Sequence, residues 1–200
     1  MEARYLGRWK HTLSIPFGLL SVMQNVSIVG SSRADNTAAL LRLADPQAQR
    51  THGLDPSHFL SCYLNLGGLK CASEQEVFGL MLSGMIHAAS RRPALTHLQT
   101  PRSPCQDTFA ELLSYLEQAE MIGPNLVWML DEFDSASRNP KLTPNFFSAL
   151  RALGSRPRAA LVTATRHGLY GMGEARRPAG SSLAGLFVTL HLDRLRVHAS

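Results

Sequence analysis

The sequence predicts an α/β fold in which helices cover both faces of a parallel sheet. Strand-like runs alternate with helix-like stretches along the chain, which is the order of elements in such folds. Several of these runs are apolar almost without interruption, as expected where both faces of a strand are buried. The 200 residues suit one domain, and 44% hydrophobic with 18% charged residues are typical of a globular chain.

The predicted elements follow one another from residue 25 onward. Apolar, β-branched and aromatic runs predict strands at 25–30, 58–66, 126–134, 159–166 and 186–192. Helical spacing of apolar residues predicts helices at 37–44, 73–90, 107–122 and 143–154. Ser73 and Glu76 have the spacing of a capping box at the start of the second helix. We expect loops at 44–57, 91–106 and 167–185, and we find no repeat and no second domain.

The N-terminal region resembles a secretory signal only in part. Basic residues precede an apolar run at 12–23, but Pro16 and Gly18 interrupt it and no small-residue cleavage site follows. The run is also shorter than the roughly 20 residues that cross a bilayer. We therefore expect residues 1–24 to pack on the domain, without a membrane contact.

The cysteines and histidines exclude two classes of protein. Cys62, Cys71 and Cys105 form no C-x-x-C pair and are odd in number, which argues against a disulfide framework and a structural zinc site. The histidines lack H-x-x-x-H spacing, so no metal is assigned to them. A reducing compartment is expected, and we predict a cytoplasmic protein.

The positive charge is concentrated in one segment, residues 151–177. One acid and six arginines there account for the whole net charge of +5. Such a segment is either a solvated surface or a contact for phosphates and other anions, including nucleic acid. The residues are Arg151, Arg156, Arg158, Arg166, Arg176 and Arg177, with Glu174.

Two adjacent acids end the apolar run "LVWMLDEFD" (126–134). Asp131 and Glu132 would lie at the carboxyl edge of a buried strand, where open α/β sheets bind ligands. A buried carboxylate must be paired or coordinated, so acids at this edge hold a metal or polarise a water. In phosphate chemistry the first acid binds Mg²⁺ and the second activates water. The alternative is that Asp131 only caps the loop that follows.

The stretch "GSSRADNT" (30–37) lies between a predicted strand and a predicted helix, as a phosphate-binding loop does. Gly30 and Thr37 have the separation found in G-x-x-x-x-G-K-[S/T]. However, Asp35 stands where glycine is expected and Asn36 where lysine is expected. Asp35 adds negative charge and Asn36 removes the positive charge that neutralises phosphate. By pattern alone the match fails.

A third polar site ends the run "LVTATR" (161–166). Thr163 or Thr165 could hold a water or sense a terminal phosphate, and Arg166 could contact phosphate with both guanidinium nitrogens. Alone, such residues are more often an ordinary strand end.

Taken in order, these motifs resemble the bacterial and archaeal AAA-like P-loop ATPases related to the STAND signalling NTPases. The resemblance extends over residues 17–196, and "DEFD…NFFSALRAL" is its most specific part. The stretches that carry it are "SIVGSSRADNTAALLRL" (27–43), "YLNLGG" (63–68), "WMLDEFD" (128–134), "FFSALRALG" (146–154), "TATR" (163–166) and "SSLAGLFVTLHLDRL" (181–195).

This resemblance implies a three-layer P-loop NTPase-like fold with about five strands in the order 5-1-4-3-2. It implies a domain over 25–196 that lacks the helical lid and winged-helix part of the class, and the abrupt end suggests a fragment of a longer protein. It makes Glu132 the catalytic acid, Arg166 the sensor arginine, and Thr37 and Asp131 the ligands of Mg²⁺. The nucleotide contacts it implies are Gly30, Ser31, Ser32, Arg33, Ala34, Asp35, Asn36, Thr37 and Thr165.

The chain departs from the family at Ser31, Ser32, Asp35 and Asn36. Three hypotheses follow. The first is an ATP-binding domain, using Mg²⁺, with weak or lost hydrolysis. The second is a nucleotide-free pseudo-ATPase that serves as a protein-interaction module. The third is a nucleic-acid-binding module that uses residues 151–177.

Overall fold

The computed structural model describes residues 13–95, 98, 107–169 and 183–195. The predicted loops at 91–106 and 167–185 therefore lie partly outside the described residues. Four residues named above lie wholly outside them: Cys105, Glu174, Arg176 and Arg177.

The described part of the chain contains five strands: β1 (Val26–Val29), β2 (Phe59–Asn65), β3 (Asn125–Asp131), β4 (Ala159–Thr165) and β5 (Val188–His191). They form one parallel sheet in the order β2-β3-β4-β1-β5. The predicted fold class and strand order are confirmed. In the register, Val29 pairs with Thr165 and Asn65 pairs with Asp131, so the strands end along one common edge.

Helices cover both faces of this sheet, in three layers. Alternate residues of β3 point to opposite faces, because side chains alternate along a strand. The helices are α1 (Ser14–Ser21), α2 (Arg33–Ala44), α3 (Pro46–Thr51), α4 (Glu74–Ser90), α5 (Thr108–Ile122), α6 (Pro144–Gly154) and α7 (Leu192–Leu195). Trp128 belongs to one hydrophobic core with α4, α5 and α6, whereas Val127 and Met129 belong to the other with α1, α2 and α3.

The local signals explain several helix boundaries. The capping box is present: the Ser73 hydroxyl accepts from the Glu76 amide, and the Glu76 carboxylate accepts from the Ser73 amide. The predicted loop 44–57 is wrong in part, because α3 forms within it. Asp45 caps that helix and Pro46 occupies its first turn, where a missing N–H costs nothing.

The predicted strand 126–134 also ends earlier than expected, at Asp131. Residues 133–138 form a 3₁₀ turn, so the second acid of the pair follows the strand instead of belonging to it.

The N-terminal segment packs on the domain where it is described. Phe17 and Leu20 of α1 are buried in the same core as α2. Cys62 and Cys71 are both free thiols. Within the described ranges, we find no helix that has both the length and the apolar character needed to cross a bilayer.

Candidate functional site

The carboxyl edge of the sheet brings the predicted motifs together. The Thr37 hydroxyl donates a hydrogen bond of 2.5 Å to Asp131 Oδ2, although 94 residues separate the two in sequence. The Gly30 amide donates to the Thr165 carbonyl at 3.1 Å. The three motifs therefore meet at one site, as parallel strands with a common edge require.

The phosphate-loop position has a different backbone from the one predicted. The expected polar loop leads to a helix from Thr37, but α2 begins at Arg33. The Ser32 hydroxyl caps it by accepting from the Asp35 amide at 3.3 Å. Without a glycine at position 35, nothing favours an unwound turn, and an acid in the first turn stabilises the helix N-terminus. Only Gly30, Ser31 and Ser32 stay outside the helix.

Asn36 is buried within the protein, with 2% of its surface exposed. Its Nδ2 donates to the Gly30 and Thr165 carbonyls, each at 3.0 Å. A Cβ at Gly30 would lie only 2.3 Å from Asn36 Oδ1, so a glycine is needed there. The side chain at the expected lysine position thus ties the end of β1 to the end of β4.

A carboxylate lies beside the first amide of the loop. The Ser31 N–H donates to Asp193 Oδ2 at 3.4 Å, and Asp193 belongs to α7 after β5. Sequence reasoning missed Asp193, because nothing in its neighbourhood marks it as a partner of the loop.

Asp131 is 1% exposed, and its carboxylate accepts hydrogen bonds from three donors. Oδ2 accepts from the hydroxyls of Thr37 and Tyr63, the latter at 2.7 Å, and Oδ1 accepts from the Glu132 amide at 2.8 Å. Burial, and then the contact with Asp131, raises the pKa of Tyr63 to about 12. Tyr63 was also missed, although its position near the carboxyl end of β2 could have indicated it.

Glu132 has a left-handed backbone, with φ 48° and ψ 40°, which is uncommon for a residue other than glycine. Its Oε2 lies 3.0 Å from Arg33 Nη1 in an ion pair. The carboxylate lies over Gly67, where a Cβ would approach Oε2 to 2.5 Å. Glu132 is therefore joined to the start of α2 by Arg33, the first residue of that helix.

Arg166 pairs with an acid that the sequence did not single out. Its Nη2 lies 3.6 Å from Asp134 Oδ2, and Arg138 Nη2 lies 3.2 Å from the same oxygen. Asp134 is buried, which makes such pairing necessary. The Thr165 hydroxyl accepts from the Gly168 amide, and the Thr163 hydroxyl is buried without a hydrogen-bond partner.

A cleft of about 430 Å³ opens beside Glu132. The turn after β2, the turn after β3 and the start of α2 form its walls. Its lining side chains carry three positive charges and one negative charge. They are Arg33, Gly67, Lys70, Glu132, Ser135, Arg138 and Asn139.

Metal-binding groups are few at this edge. Among the described residues, no three or more His, Cys, Asp or Glu side chains are grouped as a metal site. Thr37 and Asp131 supply hard oxygen atoms of the kind that Mg²⁺ prefers, but Mg²⁺ on so few protein ligands keeps waters or phosphate oxygens as further ligands.

Comparison with solved structures identifies the fold. ORC2 of Aeropyrum pernix in its ADP form superposes with a TM-score of 0.58 at 15% identity, over 92% of this chain and 47% of that one. ORC1 of Aeropyrum pernix in complex with DNA superposes with a TM-score of 0.57 at 14% identity, over 92% of this chain and 44% of that one. Drosophila ORC bound to AT-rich DNA and Cdc6 superposes with a TM-score of 0.55 at 16% identity, over 90% of this chain and 26% of that one.

These likenesses show an AAA-like P-loop fold. The chain spans less than half the length of each of these three structures. No protein-family model and no curated protein sequence matches the chain.

Proposed function

We propose that this chain is an AAA-type nucleotide-binding domain that binds ATP with Mg²⁺ weakly and hydrolyses it slowly or not at all. The observation that carries the proposal is the contact between Thr37 and Asp131 on a P-loop fold. The neighbour in its ADP form has the same fold, which supports a nucleotide as the ligand.

In this proposal Thr37 and Asp131 hold Mg²⁺, which neutralises phosphate charge when it is bound. Gly30, Ser31, Ser32 and the first turn of α2, from Arg33 to Thr37, would face the phosphates, and Thr165 would line the site. Glu132 is the acid that would orient water, and Arg166 is the arginine that would sense the terminal phosphate.

Three features of the loop position explain why nucleotide binding should be weak. Asn36 is neutral, and both of its amide hydrogens are used within the protein. Asp193 places a negative charge at the amide of Ser31, where phosphate would need a donor. The short non-helical stretch of the loop also leaves few free N–H groups to surround an anion.

Hydrolysis should be weaker still, because Glu132 is paired with Arg33. A carboxylate in an ion pair is a poorer partner for water than a free one.

Titration of the full chain with labelled ATP and Mg²⁺ tests the proposal. We expect saturable binding with a dissociation constant of about 1 mM, which is about −4 kcal/mol. Asp131→Asn should weaken binding only when Mg²⁺ is present. Absence of saturable binding at millimolar ATP would contradict the proposal.

A second candidate, a nucleotide-free interaction module, is favoured by the internal hydrogen bonds of Asn36, Ser31 and Asp131. In that case no nucleotide needs to displace them. An unchanged melting temperature with ATP and Mg²⁺ would favour this candidate, since a ligand of the native state raises it.

A third candidate, nucleic-acid binding, draws support from the neighbour in complex with DNA. The contacts of three described arginines argue against this candidate, because their guanidinium groups are already engaged within the protein. Arg156 is paired with Glu120, Arg158 donates to the Gly123 carbonyl, and Arg166 is paired with Asp134. DNA affinity that does not fall with added salt would count against this candidate.

A further inference from the structure

We infer that the cleft beside Glu132 is a polyphosphate-binding site in which Arg33 and Lys70 supply the positive charge that position 36 lacks. The identification of the natural ligand as the phosphate tail of a nucleotide rests on the proposed function. Binding of phosphate by the cleft can be measured with a compound that is not a nucleotide.

The lining of the cleft selects for an anion. Of the side chains that face it, Arg33, Lys70 and Arg138 are cationic and only Glu132 is anionic. None of the described residues that line the cleft is aromatic or aliphatic, so the lining lacks the side chains that most often hold a nucleobase. A compact ligand with several negative charges fits this composition.

The walls of the cleft are held in place by Asn139, a buried residue. Its Nδ2 donates to the carbonyls of Leu69 and Ala72 at 3.0 and 2.8 Å, and its Oδ1 accepts from the Lys141 amide at 3.0 Å. The turn that carries Lys70 is thereby fixed against the turn that carries Arg138. The backbone positions that carry Lys70 and Arg138 are therefore fixed before any ligand arrives, which lowers the entropic cost of binding.

The positive charges are only partly neutralised within the protein. Arg138 shares the single carboxylate of Asp134 with Arg166. Within the described ranges, Lys70 has no acidic group within ion-pair distance.

Arg33 can exchange its partner for a ligand. Its side chain is 55% exposed while it pairs with Glu132, whose side chain is 21% exposed. Exposed ion pairs contribute little, so a multiply charged phosphate can replace Glu132 as the partner. Guanidinium groups also match phosphate with two parallel hydrogen bonds. Arg33 therefore links the phosphate-loop position to the cleft.

Calorimetric titration of the full chain with sodium tripolyphosphate at low ionic strength tests the inference. Arg33→Gln and Lys70→Gln should each weaken binding about tenfold, as loss of a charge-assisted contact does. Glu132→Gln should tighten it, because it removes a competing negative charge. The matched control is Arg50→Gln, which removes the same charge from an exposed position on α3 outside the cleft.

These side chains are exposed or line an open cleft, so the variants are expected to fold, and unchanged circular dichroism spectra would verify it. The inference is overturned if wild-type protein does not bind tripolyphosphate, or if Arg33→Gln has no more effect than Arg50→Gln. It is also overturned if citrate, a tricarboxylate, binds as tightly. ATP titrated in parallel separates the two proposals. If the protein binds tripolyphosphate but not ATP, the polyphosphate site is supported and the proposed function is contradicted. If it binds ATP equally well with and without Arg33→Gln, and does not bind tripolyphosphate, the proposed function is supported and the polyphosphate site is contradicted.

Discussion

Tyr63 and Thr37 donate to the same oxygen of Asp131, and this shared acceptor is the best-defined contact of the site. Each hydroxyl stabilises a carboxylate that is buried at the sheet edge. The phenol is also the group that the sequence did not predict, since tyrosine in a strand is usually explained by packing. Its role is therefore open to direct test.

Tyr63→Phe should destabilise the protein by about 1 kcal/mol, because Asp131 loses one donor and keeps two. Unfolding in urea at neutral pH measures this change. Tyr115→Phe serves as the comparison, because it removes a longer hydrogen bond, of 3.5 Å, to the neutral Met85 carbonyl instead of one to a carboxylate. No destabilisation by Tyr63→Phe would contradict the hydrogen bond.

The same residue gives a pH dependence. The pKa of Tyr63 is about 12 in the folded protein, above its ordinary value of 10.0, so the folded state holds this proton more tightly. Its contribution to stability is present below pH 10 and is lost as the pH rises from 10 to 12. In alkaline urea titrations, Tyr63→Phe should show a smaller fall in unfolding free energy than wild type. An identical fall would contradict the prediction.

Asn36 is the second residue with a measurable structural role. Asn36→Ala removes two buried hydrogen bonds, to the Gly30 and Thr165 carbonyls, and should cost about 2 kcal/mol. Gln47→Ala, an exposed change in α3, should stay within about 0.5 kcal/mol. Equal effects of the two variants in thermal or urea unfolding would show that Asn36 does not tie β1 to β4.

At the scale of elements, α4 lies unusually close to β2. A Cβ at Gly84 would be 2.1 Å from Cys62 Sγ, and burial raises the pKa of that thiol to about 11. Cys62 therefore stays protonated at neutral pH and acts as a packing residue. Its neighbour must be glycine for the helix to approach the strand.

Gly84→Ala should destabilise the protein by about 1–3 kcal/mol through overpacking. The cost should be smaller in a Cys62→Ala background, where the sulfur no longer occupies the space. Urea unfolding of the two single variants and the double variant measures the coupling. Additive effects would contradict close packing between these two residues.

The limits of sequence reasoning are clearest at α2 and at the ends of β2 and β3. Apolar periodicity predicted the strands and their common edge, because burial on two faces leaves a strong pattern in the sequence. It did not predict that α2 starts at Arg33, since polar residues of a loop and of an exposed first turn look alike. Asp193 was missed because its partner, Ser31, is distant in sequence, and the pairing of Asp134 with Arg166 was missed for the same reason.

For the whole molecule, the fold and the assembly of the edge could be predicted, whereas the state of the site could not. Glycine and lysine are absent from the loop in the sequence. Their absence alone does not show whether the loop stays open or closes. In the structure, Asn36 donates to the Gly30 and Thr165 carbonyls, and Glu132 forms an ion pair with Arg33. These contacts depend on tertiary packing.

We propose that a phosphate-loop site persists in this chain and that Asp35 and Asn36 weaken nucleotide binding there. Titration of wild type and of the Asp35→Gly/Asn36→Lys variant with ATP and Mg²⁺ tests this proposal. We predict saturation of wild type in the millimolar range and binding at least about tenfold tighter in the variant, since a charged phosphate contact is restored. Failure of both proteins to saturate at millimolar ATP would contradict the account.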